Sequence, residues 1–307
     1  MVSRLILILF LSLGTLTSEA IIGGSHGAKA EQLLETLESP YNTIFVYQKK
    51  PYITLAFGHK KQRYIESRRN PNDLTALPIS YTQSFTIALA YPEKLSSFLM
   101  IGMGGGSTSW YVHESLPNAK VTAIELDPEI VRLAEKYYGL KPAPRFNIVT
   151  RDGRLHILRD KTKHDCIFID AYRGPFVPFH LMTKEFFTLV KKRLTKGGVV
   201  AQNIEPTTML YDRTIATLAK VFDQVEVYSA GSNVVAIAYD GKAKPIEAVI
   251  KQAEERQAQH KFRYALPELV KTRAMHLDYD AKGPILTDDF APVNTLKEIK
   301  NHNKKRK

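Results

Sequence analysis

Between Phe98 and Tyr239 the chain repeats one pattern: a short apolar run, a polar turn, then a longer amphipathic stretch. The runs are Phe98 to Ile101, Val121 to Glu125, Phe146 to Thr150, Cys166 to Asp170, Val199 to Asn203, Val225 to Ser229 and Val234 to Tyr239. Such alternation is the sequence form of a doubly wound α/β sheet. It predicts a seven-stranded, Rossmann-like sheet of the methyltransferase type. Only Ala230 to Asn233 separates the last two runs, so they should close as an antiparallel hairpin at the sheet edge.

The helices between these strands have start and stop signals. Asp127 precedes Pro128, a cap followed by a first-turn proline, and Ile130, Leu133, Ala134 and Tyr137 then share one face. Thr183 to Leu194 reads as another helix, stopped by Lys196-Gly197-Gly198. Ahead of the repeat, Tyr41 to Phe57 alternates as a hairpin broken at Gln48 to Pro51, and Arg63 to Glu66 adds a strand. The expected organisation is a targeting segment over 1–20, a small β-rich N-terminal domain over 38–90, the Rossmann-like domain over 91–240 and a helical extension with a basic tail over 241–307.

The bulk properties narrow the function little. A net charge of +12 attracts anions of any kind. Six of the eleven residues from Lys297 to Lys307 are Lys or Arg, without an interleaved aromatic residue, which reads as a solvated tail and not a nucleic-acid arm. The single cysteine, Cys166, excludes an intramolecular disulfide, and its apolar run makes it a buried strand residue. No His, Cys and Asp cluster has metal-ligand spacing. Arg4, the apolar stretch Leu5 to Leu13 and Ser18-Glu19-Ala20 read as a signal peptide, with an uncleaved anchor as the alternative. A cleaved signal would place the protein outside the cytoplasm; an anchor would leave it membrane-attached, facing the cytoplasm.

Chemistry gathers at the strand ends. Gly102-Met103-Gly104-Gly105-Gly106 lets the backbone approach a ligand and points the N-terminus of the next helix at it. Glu125 ends the following strand nineteen residues past Gly106, where an acidic side chain in this fold accepts both ribose hydroxyls. Ser107 replaces the last small residue of a dinucleotide fingerprint, so a mononucleoside ligand is preferred. Asp152-Gly153 and Asp170 follow the third and fourth strands at the same carboxyl edge, although an acid there can also simply cap a helix.

With these residues placed, the sequence resembles the spermidine/spermine synthase family, the polyamine aminopropyltransferases. The likeness runs from about Glu38 to Tyr239. Carrying it are Ser39-Pro40-Tyr41-Asn42, the glycine turn, Val121 to Pro128, Asp152-Gly153, and Asp165 to Asp170 continuing through Leu181 to Phe187. The resemblance implies a transferase of polyamine biosynthesis using decarboxylated S-adenosylmethionine, or S-adenosylmethionine itself, as co-substrate, with no metal. Gly102, Gly104, Gly105, Gly106, Glu125, Asp152, Gly153 and Asn42 would bind the donor nucleoside. Asp170 would be the catalytic proton acceptor. Gln62, Tyr81, Tyr172, Arg173 and His180 would line the site of a small-molecule amine or other acceptor, with a surface position at a helix start the alternative for His180. A homodimer is compatible with this reading.

Two departures stand out. The family carries an aspartate where this chain has Gly105, and a second carboxylate where it has Arg173. The resemblance therefore implies an intact nucleoside half and an acceptor half short of carboxylates. Aminopropyl transfer to an amine through an atypical acceptor site is the leading expectation. S-adenosylmethionine-dependent methyl transfer and a non-catalytic nucleoside-binding module are the alternatives.

Overall fold

The structure is a computed structural model that describes residues 31–59, 62–172, 177–207 and 209–292. Residues 1–20, expected as a targeting segment, lie outside the described residues with Arg173 and residues 297–307, as does the side chain of Gln62.

Four strands open the fold: β1 (Gln32–Glu38), β2 (Thr43–Lys49), β3 (Tyr52–His59) and β4 (Gln62–Arg69) form an antiparallel sheet in the order β1-β2-β3-β4. The expected hairpin is β2–β3. Two features differ from expectation. β1 precedes it, hidden in the sequence because a register shift between Leu33 and Glu35 interrupts its alternation. β4 runs beyond Glu66 to Arg69, with Ser67 and Arg69 buried although polar.

After α1 (Ser80–Phe85) and a 3-10 turn (Thr86–Ala90), the second sheet begins with β5 (Ser97–Ile101). Then follow α2 (Ser107–Ser115), β6 (Lys120–Glu125), α3 (Pro128–Tyr138), β7 (Phe146–Thr150), α4 (Gly153–Arg159), β8 (His164–Ile169), a 3-10 turn (Phe179–Leu181) and α5 (Lys184–Lys192). β9 (Leu194–Ile204), α6 (Met209–Val221), β10 (Gln224–Ala230) and β11 (Asn233–Tyr239) complete the sheet, whose order is β10-β11-β9-β8-β5-β6-β7. β5 through β9 pair in parallel, and the β10–β11 hairpin adds antiparallel at the edge. α7 (Ile246–His260) and α8 (Leu266–Val270) follow.

The helix signals act as expected. The Asp127 side chain accepts from Glu129 N at the start of α3, and Thr183 accepts from Phe186 N at the start of α5. Two details change. Tyr138, not Tyr137, completes the buried face of α3, while the Tyr137 hydroxyl turns out to Glu35. α5 ends at Lys192, and Gly197-Gly198 lies inside β9, because a register shift between His164 and Cys166 absorbs the glycine pair within the β8–β9 ladder.

Ile44, Val46, Leu55 and Phe57 from the first sheet join one continuous core with Met103, Val121, Leu133, Tyr138 and Phe168 of the second. Cys166 is fully buried in that core as a free thiol. Burying side chains of this size contributes roughly 1.5–3 kcal/mol each, so the hairpin is fixed against the glycine turn. The chain reverses direction across the sheet between β5 and β8, and this switch point opens a crevice at their carboxyl ends.

Candidate active site

The glycine turn joins β5 to α2 at the switch point. Gly102 has φ +86°, and a Cβ there would lie 2.3 Å from the Asp170 carbonyl oxygen. The turn and the Asp170 loop are therefore in backbone contact, and Asp170 N donates to Ile101 O at 2.9 Å. Glu125 binds the turn from the other side: its Oε2 accepts Gly104 N at 2.9 Å, and its Oε1 accepts Leu126 N and Asp127 N at 2.8 and 3.1 Å. Burial raises the Glu125 carboxyl above its ordinary value against the pull of these three N–H groups.

One cavity brings together Asn42, Gly102, Gly104, Gly105, Glu125, Asp152, Gly153, Asp170, Tyr81, Tyr172 and His180. Of the remaining expected residues, Gly106 caps α2 with φ +71°, its would-be Cβ directed at Leu140. Ser107 also lines the cavity, and its buried Oγ has no hydrogen-bond partner among the described residues. Asn42 is held by a turn in which Ser39 Oγ accepts Tyr41 N and Asn42 N and donates to Asp127 Oδ2 at 2.5 Å. The cap of α3 thus also latches the N-terminal hairpin beside Glu125.

Asp152 caps a helix and also lines the cavity. Oδ1 accepts Leu155 N at 2.9 Å as the cap of α4, and Oδ2 lies 2.8 Å from His180 Nε2. The bond to His180 holds its carboxyl below the ordinary range. His180, which lines the same cavity, turns its ring to Asp152 because the 3-10 turn Phe179–Leu181 packs against α4.

Asp170 occupies the opposite wall. Tyr81 Oη donates to its Oδ2 at 3.0 Å and Asn203 Nδ2 to its Oδ1 at 2.9 Å. Burial pushes its pKa up to about 6, against both hydrogen bonds. The Tyr172 hydroxyl donates to Asn203 O at 3.0 Å. Burial and then the charge of Asp170 push the Tyr81 and Tyr172 hydroxyls well up, and Glu66 adds to both effects.

Glu66 and Asn203 were not anticipated as site residues. Asn203 lies at the carboxyl end of β9, and Asp170 just past the end of β8, a shared position that would have found it. Glu66 carried none, since only the path of β4 brings it to the cavity. It supplies a carboxylate to the wall expected to lack one.

Gly105 differs from a simple vacancy. A Cβ there would lie 2.2 Å from Ser67 Oγ and 2.8 Å from Tyr138 Cε2, and its carbonyl accepts from the buried Arg69 guanidinium at 3.0 Å. Restoring the family's carboxylate with Gly105→Asp should therefore destabilise the fold by about 1–3 kcal/mol through overpacking. Thermal unfolding of this variant beside Gly105→Asp combined with Ser67→Gly measures the effect; the second change should recover part of the loss.

Residues 86–238 match the family profile of the spermine/spermidine synthase domain. A polyamine aminopropyltransferase of Vibrio vulnificus is 29% identical over 301 residues, covering 95% of this chain and 98% of the relative. An eEF1A lysine and N-terminal methyltransferase homolog of Drosophila pseudoobscura pseudoobscura is 26% identical over 271 residues, 78% of this chain but 39% of that protein. In fold, the chain is similar to a probable spermidine synthase from Corynebacterium glutamicum, with TM-score 0.61 and 17% identity over 81% of this chain and 98% of that one. By its domain over residues 86–238 the chain belongs to the spermine/spermidine synthase family.

Proposed function

We propose that the protein is a transferase that moves an aminopropyl group from decarboxylated S-adenosylmethionine to a small amine. The nitrogen lone pair of the acceptor attacks the methylene next to the sulfonium, the carbon–sulfur bond breaks toward sulfur, and methylthioadenosine leaves. The nitrogen then sheds a proton to Asp170. Glu125 accepts the ribose hydroxyls, and Asp152 accepts the amino group of the adenine.

The observation that carries this reading is the environment of Asp170. It is a carboxylate at the switch point, raised to about 6 by burial and oriented by Tyr81 and Asn203. Such a group is ionised at neutral pH yet basic enough to take a proton. Glu66 and Asp170 also make this wall attractive to an ammonium.

The donor side is tested by calorimetry with methylthioadenosine, decarboxylated S-adenosylmethionine and S-adenosylmethionine. Glu125→Ala should weaken binding of all three by about 1–3 kcal/mol, the worth of hydrogen bonds to a charged group. Equal affinity in the variant would remove Glu125 from the ribose site.

A second reading has one specific support. No carboxylate stands at Gly105 to repel the carboxylate of S-adenosylmethionine, and a methyltransferase homolog is among the relatives. Preference for the carboxylated donor in the same titrations would favour methyl transfer.

A further inference from the structure

The segment Leu286 to Phe290 returns to the rim of the crevice and is pinned there along its length. Leu286 is fully buried, its N donates to Thr217 Oγ1 at 2.9 Å, and its carbonyl accepts Lys184 N at 2.8 Å. Thr287 and Phe290 exchange backbone hydrogen bonds, and Asp288 N donates to Glu185 Oε2 at 2.9 Å. These contacts anchor the strap without the Asp288 carboxylate.

That carboxylate does something else. Both its oxygens accept the Arg154 guanidinium, at 2.7 and 2.5 Å, and Oδ1 also accepts Thr183 Oγ1 at 2.7 Å. Arg154 Nη1 in turn donates to the carbonyl of His180 at 3.1 Å, and the His180 ring lies 2.8 Å from Asp152 Oδ2. A forked, two-bond pair fixes a guanidinium in plane and direction far better than one contact would. The result is a continuous chain of directional bonds from the C-terminal strap to a cavity-lining carboxylate.

We infer that Asp288 is a positioning residue for donor recognition: through Arg154 and His180 it sets the direction of the Asp152 carboxylate that accepts the 6-amino group of the purine. This rests on the nucleoside reading of the cavity. It assigns the C-terminal strap a part in selecting a 6-aminopurine nucleoside, although the strap itself does not line the cavity.

The test uses the full chain and two probes: methylthioadenosine, and the same nucleoside lacking the 6-amino group. The Asp288 side chain is 42% exposed at the rim, so Asp288→Asn should fold, with thermal unfolding as the check. It should lose roughly three- to tenfold in affinity for methylthioadenosine, the scale of one hydrogen bond, and nothing for the probe without the amino group. Asp288→Glu, which keeps the charge, should recover most of the loss. In turnover the KM for the donor should rise while kcat and the acceptor KM stay put. Equal losses for both probes, or no loss, would overturn the relay. Failure of the transferase reading looks different: the wild-type chain then binds the nucleoside with the same discrimination but transfers no aminopropyl group. A wild-type chain that binds neither probe overturns both.

Discussion

Asp170→Asn should lower kcat by roughly a hundredfold to ten-thousandfold, the range for losing a positioned general base, while methylthioadenosine binds as before. The same substitution should make the protein more stable at pH 8. Asp170 titrates at about 6 in the fold because burial disfavours its charge, whereas an unfolded aspartate titrates near 3.8. The folded state therefore holds this proton more tightly than the unfolded one. That stabilisation is complete below the unfolded value and is lost as pH rises through about 6. Above it, the buried charge costs about 3 kcal/mol. Asparagine has no such charge, and it can still accept from Asn203 while donating to the Tyr81 hydroxyl. Denaturant unfolding at pH 4 and pH 8 should thus show the variant gaining on the wild type only at the higher pH. Wild-type turnover should rise with pH through about 6. A variant that retains its rate would remove Asp170 from proton transfer.

Gly102→Ala should be the most damaging single-methyl change at the site. Its Cβ would lie 2.3 Å from the Asp170 carbonyl oxygen, 2.7 Å from the Asp170 carbonyl carbon and 2.9 Å from Ala171 Cα. All three are backbone atoms, so no side chain can swing aside. The left-handed φ of +86° adds its own strain for any residue with a Cβ. Together these should cost about 3–5 kcal/mol, combining overpacking with backbone strain. Gly139→Ala is the control: φ is +65° there too, but nothing lies within 4 Å of the added Cβ. It should cost only about 1–2 kcal/mol. Denaturant unfolding of both separates the clash from the backbone preference. Any relief in Gly102→Ala must move the Asp170 loop, so turnover should fall even where the fold survives. Equal destabilisation of the two variants would contradict this contact.

The legible parts of the molecule were those governed by local rules. The seven runs from Phe98 to Tyr239 became the second sheet, the five parallel ones because buried parallel strands need continuous apolar sequence. Gly102, Glu125 and Asp170 met at one crevice because strand ends in such a sheet share an edge. Asp127 and Thr183 capped their helices through bonds two or three residues away.

What escaped the sequence depends on contacts between distant segments. The bulge in β1 erased its alternation, and Gly197-Gly198, a helix stop by local chemistry, was drawn into β9 by the ladder with β8. Glu66 reaches the cavity only because β4 crosses behind the glycine turn, where Ser67 fills the space of the missing side chain at Gly105. His180 and Asp288 found their places through Asp152 and Arg154, 28 and 134 residues away along the chain. No periodicity or spacing encodes such pairs.

The identity of the transferred group tests aminopropyl transfer most directly. The purified protein is incubated with a diamine and either decarboxylated S-adenosylmethionine or S-adenosylmethionine, and both products are identified by mass spectrometry. The expected products are an acceptor extended by one aminopropyl group and released methylthioadenosine, with the decarboxylated donor alone. A methylated acceptor with S-adenosylhomocysteine, formed from the carboxylated donor, would contradict it.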